Sequence, residues 1–286
     1  MINGLLITAI PLLNAINNVL RKEYNNRARG TFIFNAAFSF FAFFLFFLSS
    51  LFTSSQKFAA EFLPYSFFFS LSYICADLFW LLSIREGSIS LTSLMISFST
   101  IIPALYGILF LKESVTIFLV VALVLLCVST VLINIEKRGE KKRITLKWLF
   151  FVFLAFFGNG MCSVVQKEQQ LAFDGNYKNE FMMTAMLINV VVLSVLMIVF
   201  ERHTIRSSFK PALIFAAPAG FGNGIINLLV MILSASMAAS VLFPVISAAG
   251  IIASFIIGAI FYKEKFSAPQ LVGVALGLVS VVLFSL

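Results

Sequence analysis

Asp77 is the one acidic or basic side chain that lies deep inside an apolar run of this chain, within SLSYICADLFWLLS. A carboxylate at membrane depth costs on the order of 3 kcal/mol on insertion scales, so such a residue is expected to face a partner, a cavity or a ligand. Tyr73 and Trp80 stand one helical turn before it and nearly one turn after it, which would put all three on one helix face. An anionic pocket edged by aromatic rings suits an organic cation, the amine of a zwitterion, or a proton. The plainer reading is a protonated Asp77 bonded to a neighbouring helix, with Tyr73 and Trp80 simply packed. The sequence leaves both open.

Asparagines give the second polar signal. Asn14 with Asn17 or Asn18, then Asn159, then Asn223 with Asn227, bring amide donors and acceptors into segments that must satisfy them away from lipid. Candidate substrate contacts are therefore Asp77, Tyr73, Trp80, Asn14, Asn17, Asn159, Asn223 and Asn227. Interhelical hydrogen bonding, worth about 0.6 kcal/mol on average, is the structural alternative for each Asn. Asn189 has no counterpart and is left out. Ser90, Ser93, Ser97 and Thr100 form one small polar stripe, and Ser240, Ser247 and Ser254 another. Stripes of this kind favour close helix packing.

Catalysis finds little footing. Cys75, Cys127 and Cys162 all sit in apolar runs and read as small buried residues, and His203 stands by itself in a charged loop. There is no phosphate-cradling glycine loop and no nucleophile beside a base. Neither an enzyme nor a metal or cofactor site is expected.

The elements that must position these groups follow from composition. Of 286 residues, 61% are hydrophobic, 35 are Phe and 11% are charged, against about 25% charged in ordinary soluble domains. A chain of this length cannot hide so much apolar surface in a soluble core. Apolar runs at 2–20, 31–52, 63–84, 88–111, 115–134, 146–166, 181–200, 211–233, 237–262 and 267–286 are each near the length of helix that crosses a bilayer. The expectation is an all-α polytopic membrane protein with ten transmembrane helices. Pro64, Pro211 and Pro269 stand at or beside the first residue of a run, where the missing N–H costs little. Pro11, Pro103, Pro218 and Pro244 lie inside runs and should bend them. The first run lacks a basic leader and a small-residue cleavage site, so it is read as a permanent span rather than a signal peptide.

The chain also repeats itself. Lys112 and Glu113 recur as Lys263 and Glu264, Gly107 as Gly258, Phe110 as Phe261 and Ser129 as Ser280; nearer the N-terminus, Asn14 matches Asn159, and Lys22 with Glu23 matches Lys167 with Glu168. Two Lys-Glu pairs at corresponding span ends, where charge is scarce, point to a duplication, with halves at 1–142 and 143–286. Five spans per half is an odd number, so the second half must thread the bilayer in the opposite sense, giving two inverted five-helix repeats. The charge pairs themselves read as interfacial anchors that hold helix depth.

The stretches SISLTSLMISFSTIIPALYGILFLKES and SMAASVLFPVISAAGIIASFIIGAIFYKEK, with the closing LVGVALGLVSVVLF, resemble the EamA-type repeat of the drug/metabolite transporter superfamily. In that repeat a small-residue-rich fourth helix with an internal proline ends in an acidic residue. The first span carries NAINN where the family often has Trp-Gly, and the fifth lacks the glycines of the tenth. The resemblance implies a substrate cavity between the halves.

The remaining expectations concern orientation and partners. With the termini on one side, that side's loops carry Lys57, Lys112, Lys167 and Lys178, while RKEYNNRARG and EKRGEKKRITLK load the other. The positive-inside rule then puts both termini outside a cell membrane and the heavily basic loops in the cytoplasm. The net charge of +8 belongs to these loops and does not mark a nucleic-acid surface. The function read from this pattern is secondary transport of a small polar metabolite, an amino acid or amine, by alternating access, with a proton as candidate coupling ion, in a monomer or homodimer. A non-transporting scaffold or lipid-handling accessory protein is the alternative.

Overall fold

The computed structural model describes residues 2–28, 30–52, 60–86, 92, 95–133, 145–261 and 267–284; Lys57, Ser90, Ser93, Lys263, Glu264 and most of the basic loop EKRGEKKRITLK lie outside them. The elements are α1 (Ile2–Arg27), α2 (Thr31–Phe52), α3 (Leu63–Glu86), α4 (Ile101–Leu109), α5 (Ile117–Ile133), α6 (Leu146–Ala172), α7 (Lys178–Glu201), α8 (Ile205–Ser236), α9 (Ala239–Phe261) and α10 (Ala268–Leu283). No strand occurs among the described residues. Among the described residues five helical stretches, Thr31–Phe52, Ala60–Ser83, Leu146–Ala172, Lys178–Glu201 and Ile205–Ser236, are long and apolar enough to cross a membrane.

Several helices outrun their apolar runs. α6 continues past 166 through Gln166-Lys167-Glu168-Gln169-Gln170 to Ala172. α8 begins at Ile205, so Pro211, expected at a helix start, lies inside the helix with Pro218 and removes one intrahelical bond. Pro11 and Pro244 lie inside α1 and α9 as the pattern predicts. Pro269 sits in the first turn of α10, behind a capping box made by Ser267 and Gln270.

The chain forms two compact units, Met1–Ser70 with Val165–Ala235 and Leu71–Val164 with Ser236–Leu286. Each draws elements from both halves of the sequence, and α3 and α6 each contribute to both.

In the first unit α2 packs along α7. They run antiparallel, because Glu201 at the end of α7 accepts from the backbone N–H groups of Thr31, Phe32 and Ile33 at 2.7, 2.8 and 3.3 Å. Those N–H groups have no partner within their own helix, and a carboxylate there also meets the positive end of the helix dipole. Tyr24 is buried beside this cap and donates its hydroxyl to the Gly30 carbonyl. Burial, with the Glu201 charge adding to it against a Ser208 hydrogen bond, pushes the Tyr24 phenol up to about 12. On its other side α2 meets α8 at glycines: a β-carbon at Gly220 would stand 2.4 Å from the Phe38 carbonyl oxygen, and one at Gly224 3.3 Å from Leu45. Bare helix backbone is what allows this approach. α3 joins through Ser66, which donates to the Phe181 carbonyl at 3.0 Å, and Ser70, which donates to Asn189 Oδ1 at 2.6 Å. Asn189 is fully buried and serves as interhelical glue.

In the second unit α5 packs along α10, and α9 packs against α4, α5 and α10. Ser129 donates to the Gly273 carbonyl at 2.6 Å, and Gln270 to the Ile133 carbonyl at 3.2 Å, which sets α5 and α10 antiparallel. Gly273 and Gly277 lie against Ile133 and Ser129, so the glycines of LVGVALG are contact points for α5. Glu113, beyond α4, accepts from the N–H groups of Ala239 and Ser240 at 2.7 and 2.8 Å. The acidic member of the FLKES pair, read from the sequence as an interfacial anchor, caps the start of α9. Its neighbour Lys112 turns the chain with a φ of 54°.

Outward faces stay apolar. α2 buries Phe34, Phe38, Ala42 and Phe46 while Phe40, Phe44, Phe47 and Leu51 are exposed. A helix apolar all round suits a lipid surround.

Candidate functional site

The candidate residues fall into two groups, one in each unit. In the second unit Tyr73, Asp77 and Trp80 lie half-buried on α3. α3 is held to α6 where α6 has no side chain: a β-carbon at Gly158 would stand 2.8 Å from both the Ala76 nitrogen and the Ser72 carbonyl oxygen. Two residues on, Gly160 lies equally close to the Ser99 carbonyl oxygen and to Ile102. The sequence Gly158-Asn159-Gly160 therefore lets α3 and the start of α4 close on α6, and Asn159 projects between these contacts. Its Nδ2 donates to Ser99 Oγ at 2.6 Å, while the residue remains exposed. Cys75 donates to the Leu154 carbonyl at 3.7 Å, and Cys162 is within electrostatic reach of Asp77 and Cys75. Asp77 and Asn159 are thus brought to facing stretches of α3 and α6. Ser97 and Thr100, expected to form a packing stripe, lie beside Ser99, the residue that actually receives Asn159.

In the first unit Asn14, Asn17 and Asn223 are half-buried and Asn227 is buried. Asn17 on α1 leans on α8 at Gly222, where a β-carbon would lie 2.8 Å from its Oδ1. Asn227 Oδ1 accepts from Gln166 Nε2 at 2.9 Å, and Asn227 Nδ2 donates to the Asn223 carbonyl at 2.9 Å. The Gln166–Asn227 bond links α6 to α8, and Asn17 packs α1 on α8 at Gly222.

The richest buried polar set in this unit is absent from the sequence-derived candidates. Gln166, Lys167, Gln169 and Gln170 are all buried on α6. Lys167 is 5% exposed, and its ammonium donates to the Ser234 carbonyl at 2.8 Å near the end of α8, where a cation meets the negative end of the helix dipole. Gln169 donates to the Asn176 carbonyl at 3.0 Å and accepts from Gln170. The available signal was Gln166, Gln169 and Gln170 spaced to share one helix face, masked by reading the polar run as the end of a span. Among the described residues no group of three or more His, Cys, Asp or Glu is arranged to hold a metal ion.

No protein-family model and no curated protein matches the chain. A solved structure described as "Crystal structure of protein" matches with a TM-score of 0.80 and 12% identity, over 98% of this chain and 95% of that one. At that identity the likeness establishes a shared fold and carries no activity with it.

Proposed function

We propose that the chain is a secondary transporter of the drug/metabolite transporter type, moving a small polar metabolite such as an amino acid or amine through a cell membrane by alternating access. In this reading it has ten transmembrane helices in two inverted five-helix repeats, with both termini extracytoplasmic. The helix pairings support the repeats: α2 with α7, α4 with α9 and α5 with α10 each join elements five places apart and run antiparallel, as matching elements of inverted halves would.

The observation that carries the functional reading is Asp77, a carboxylate held half-buried on α3 where α3 closes on the Gly158-Asn159-Gly160 stretch of α6. A scaffold or lipid-handling protein has no need of a carboxylate there, whereas a transporter can use it to take up a proton or a substrate ammonium. Asn159, fixed by Ser99 and still exposed, is the neighbouring polar contact.

Purified protein in proteoliposomes tests this with pH-gradient-driven uptake of amino acids and amines. Wild type should accumulate substrate. Asp77→Asn should insert normally and lose gradient-driven uptake, or lose amine-bearing substrates selectively. An Asn variant that transports like wild type at every pH would remove Asp77 from the mechanism, and absence of uptake and exchange in wild type would sink the reading.

A further inference from the structure

α8 carries GFGNGIIN, Gly220–Asn227, and the polar groups of this stretch are used unevenly. Gly220 and Gly224 lie against α2, so that face is closed by helix packing. Both ends of the Asn227 amide are engaged, by Gln166 Nε2 and by the Asn223 carbonyl. Asn223, one turn earlier on the same face, differs. Its Nδ2 is buried and donates to no acceptor among the described residues, while other atoms of the residue are exposed. At the adjacent Gly222 the missing side chain admits Asn17 of α1.

A buried N–H without an acceptor forfeits the bond it makes to water in the unfolded chain. Gln166 and Asn227 hold this part of α8 in place, which gives the Asn223 amide a fixed donor position. An amide N–H is answered by an oxygen acceptor; an ammonium brings only donors and cannot answer it. Resting on the transport reading above, we propose that Asn223 Nδ2 receives a carboxylate or carbonyl oxygen of the substrate. The substrate class is thereby narrowed to metabolites bearing such an oxygen, and a simple amine gains nothing at this position.

The test is proteoliposome uptake of three matched probe classes: the proteinogenic amino acids, the amines left when their carboxylate is removed, and the acids left when their amine is removed. Asn223→Asp keeps the side-chain shape and exchanges the donor for an acceptor. Loss of one hydrogen bond to an ionised group corresponds to roughly tenfold or more in affinity, so the variant should weaken uptake of amino acids and acids by about that factor and leave amines unchanged or improved. Asn223→Ser, which retains a donor, should fall between. An equal loss across all three classes, or none in any, overturns the assignment while wild-type uptake keeps the transport reading intact. Failure of wild type to take up any of the three classes overturns both.

Discussion

Tyr24 illustrates how a single side chain at the end of an apolar run is committed to architecture. Its hydroxyl is buried beside the Glu201 cap and bonded to the Gly30 carbonyl, and its phenol is raised from 10.0 to about 12, first by burial. The folded value lies above the unfolded one, so the stabilisation is intact below pH 10 and is lost as pH rises toward 12. Unfolding of detergent-solubilised protein should therefore show an alkaline loss of stability in that window. Tyr24→Phe should abolish this limb and cost about 1 kcal/mol at neutral pH through the lost hydrogen bond. A variant whose alkaline limb matches wild type would show that another group titrates there. Glu201 and Glu113 belong to the same scale. Each carboxylate reaches the start of a helix distant in sequence, and Glu113→Gln should lower stability by about 1 kcal/mol in thermal unfolding, since a neutral amide answers N–H groups less strongly than a carboxylate. Unchanged unfolding would mean the α9 N–H groups find other acceptors.

At the scale of elements, helix contacts are set by missing side chains. Gly220 meets the Phe38 carbonyl, Gly158 meets Ser72 and Ala76, and Gly273 meets Ile133. In the proposed membrane setting, where lipid leaves no hydrophobic force between helices, such close backbone approach, together with buried hydroxyl and amide bonds, supplies association. Gly220→Ala places its methyl against helix backbone, which cannot rotate away as a side chain can. It should destabilise by about 1–3 kcal/mol. Gly250, whose β-carbon would meet nothing within 4 Å, is the control and should tolerate Ala. Equal melting of the two variants would contradict the assignment of α2–α8 as a backbone-limited contact. The same reasoning explains why Ser70 and Asn189 pair: each is buried, and the bond between them removes the cost of holding either polar group away from water.

At the scale of the molecule, basic residues cluster in particular loops, and the orientation drawn from them is open to direct measurement. A reporter fused after Leu286 should behave as extracytoplasmic and one inserted in the loop 137–147 as cytoplasmic. The reverse pattern would invert the proposed topology without altering the helix pairings. Those pairings also explain why each compact unit takes elements from both sequence halves. Where α2 lies along α7 and α5 along α10, helices distant in sequence are neighbours, so compactness follows the pairs and not the order of the chain.

The run of apolar residues by itself determined that the chain is helical, because a long apolar stretch with few charges can satisfy its backbone only within one segment. Thr31–Phe52 was legible to the residue. Polarity also marked Asp77 and the asparagines as groups needing a reason, and nothing in a linear pattern could supply one. Tertiary structure decided that Asn189 is glue through Ser70, that Asn159 is tied to Ser99, and that Asn227 is tied to Gln166. It also carried α6 past its apolar run and buried Gln166, Lys167, Gln169 and Gln170 there. The physical reason is that local composition reports the cost of removing a group from water, whereas the partner that offsets that cost comes from distant sequence. Lys167 has the Ser234 carbonyl and Glu113 has the amides of Ala239 and Ser240, so charges that read as marks of a surface become ties between helix ends.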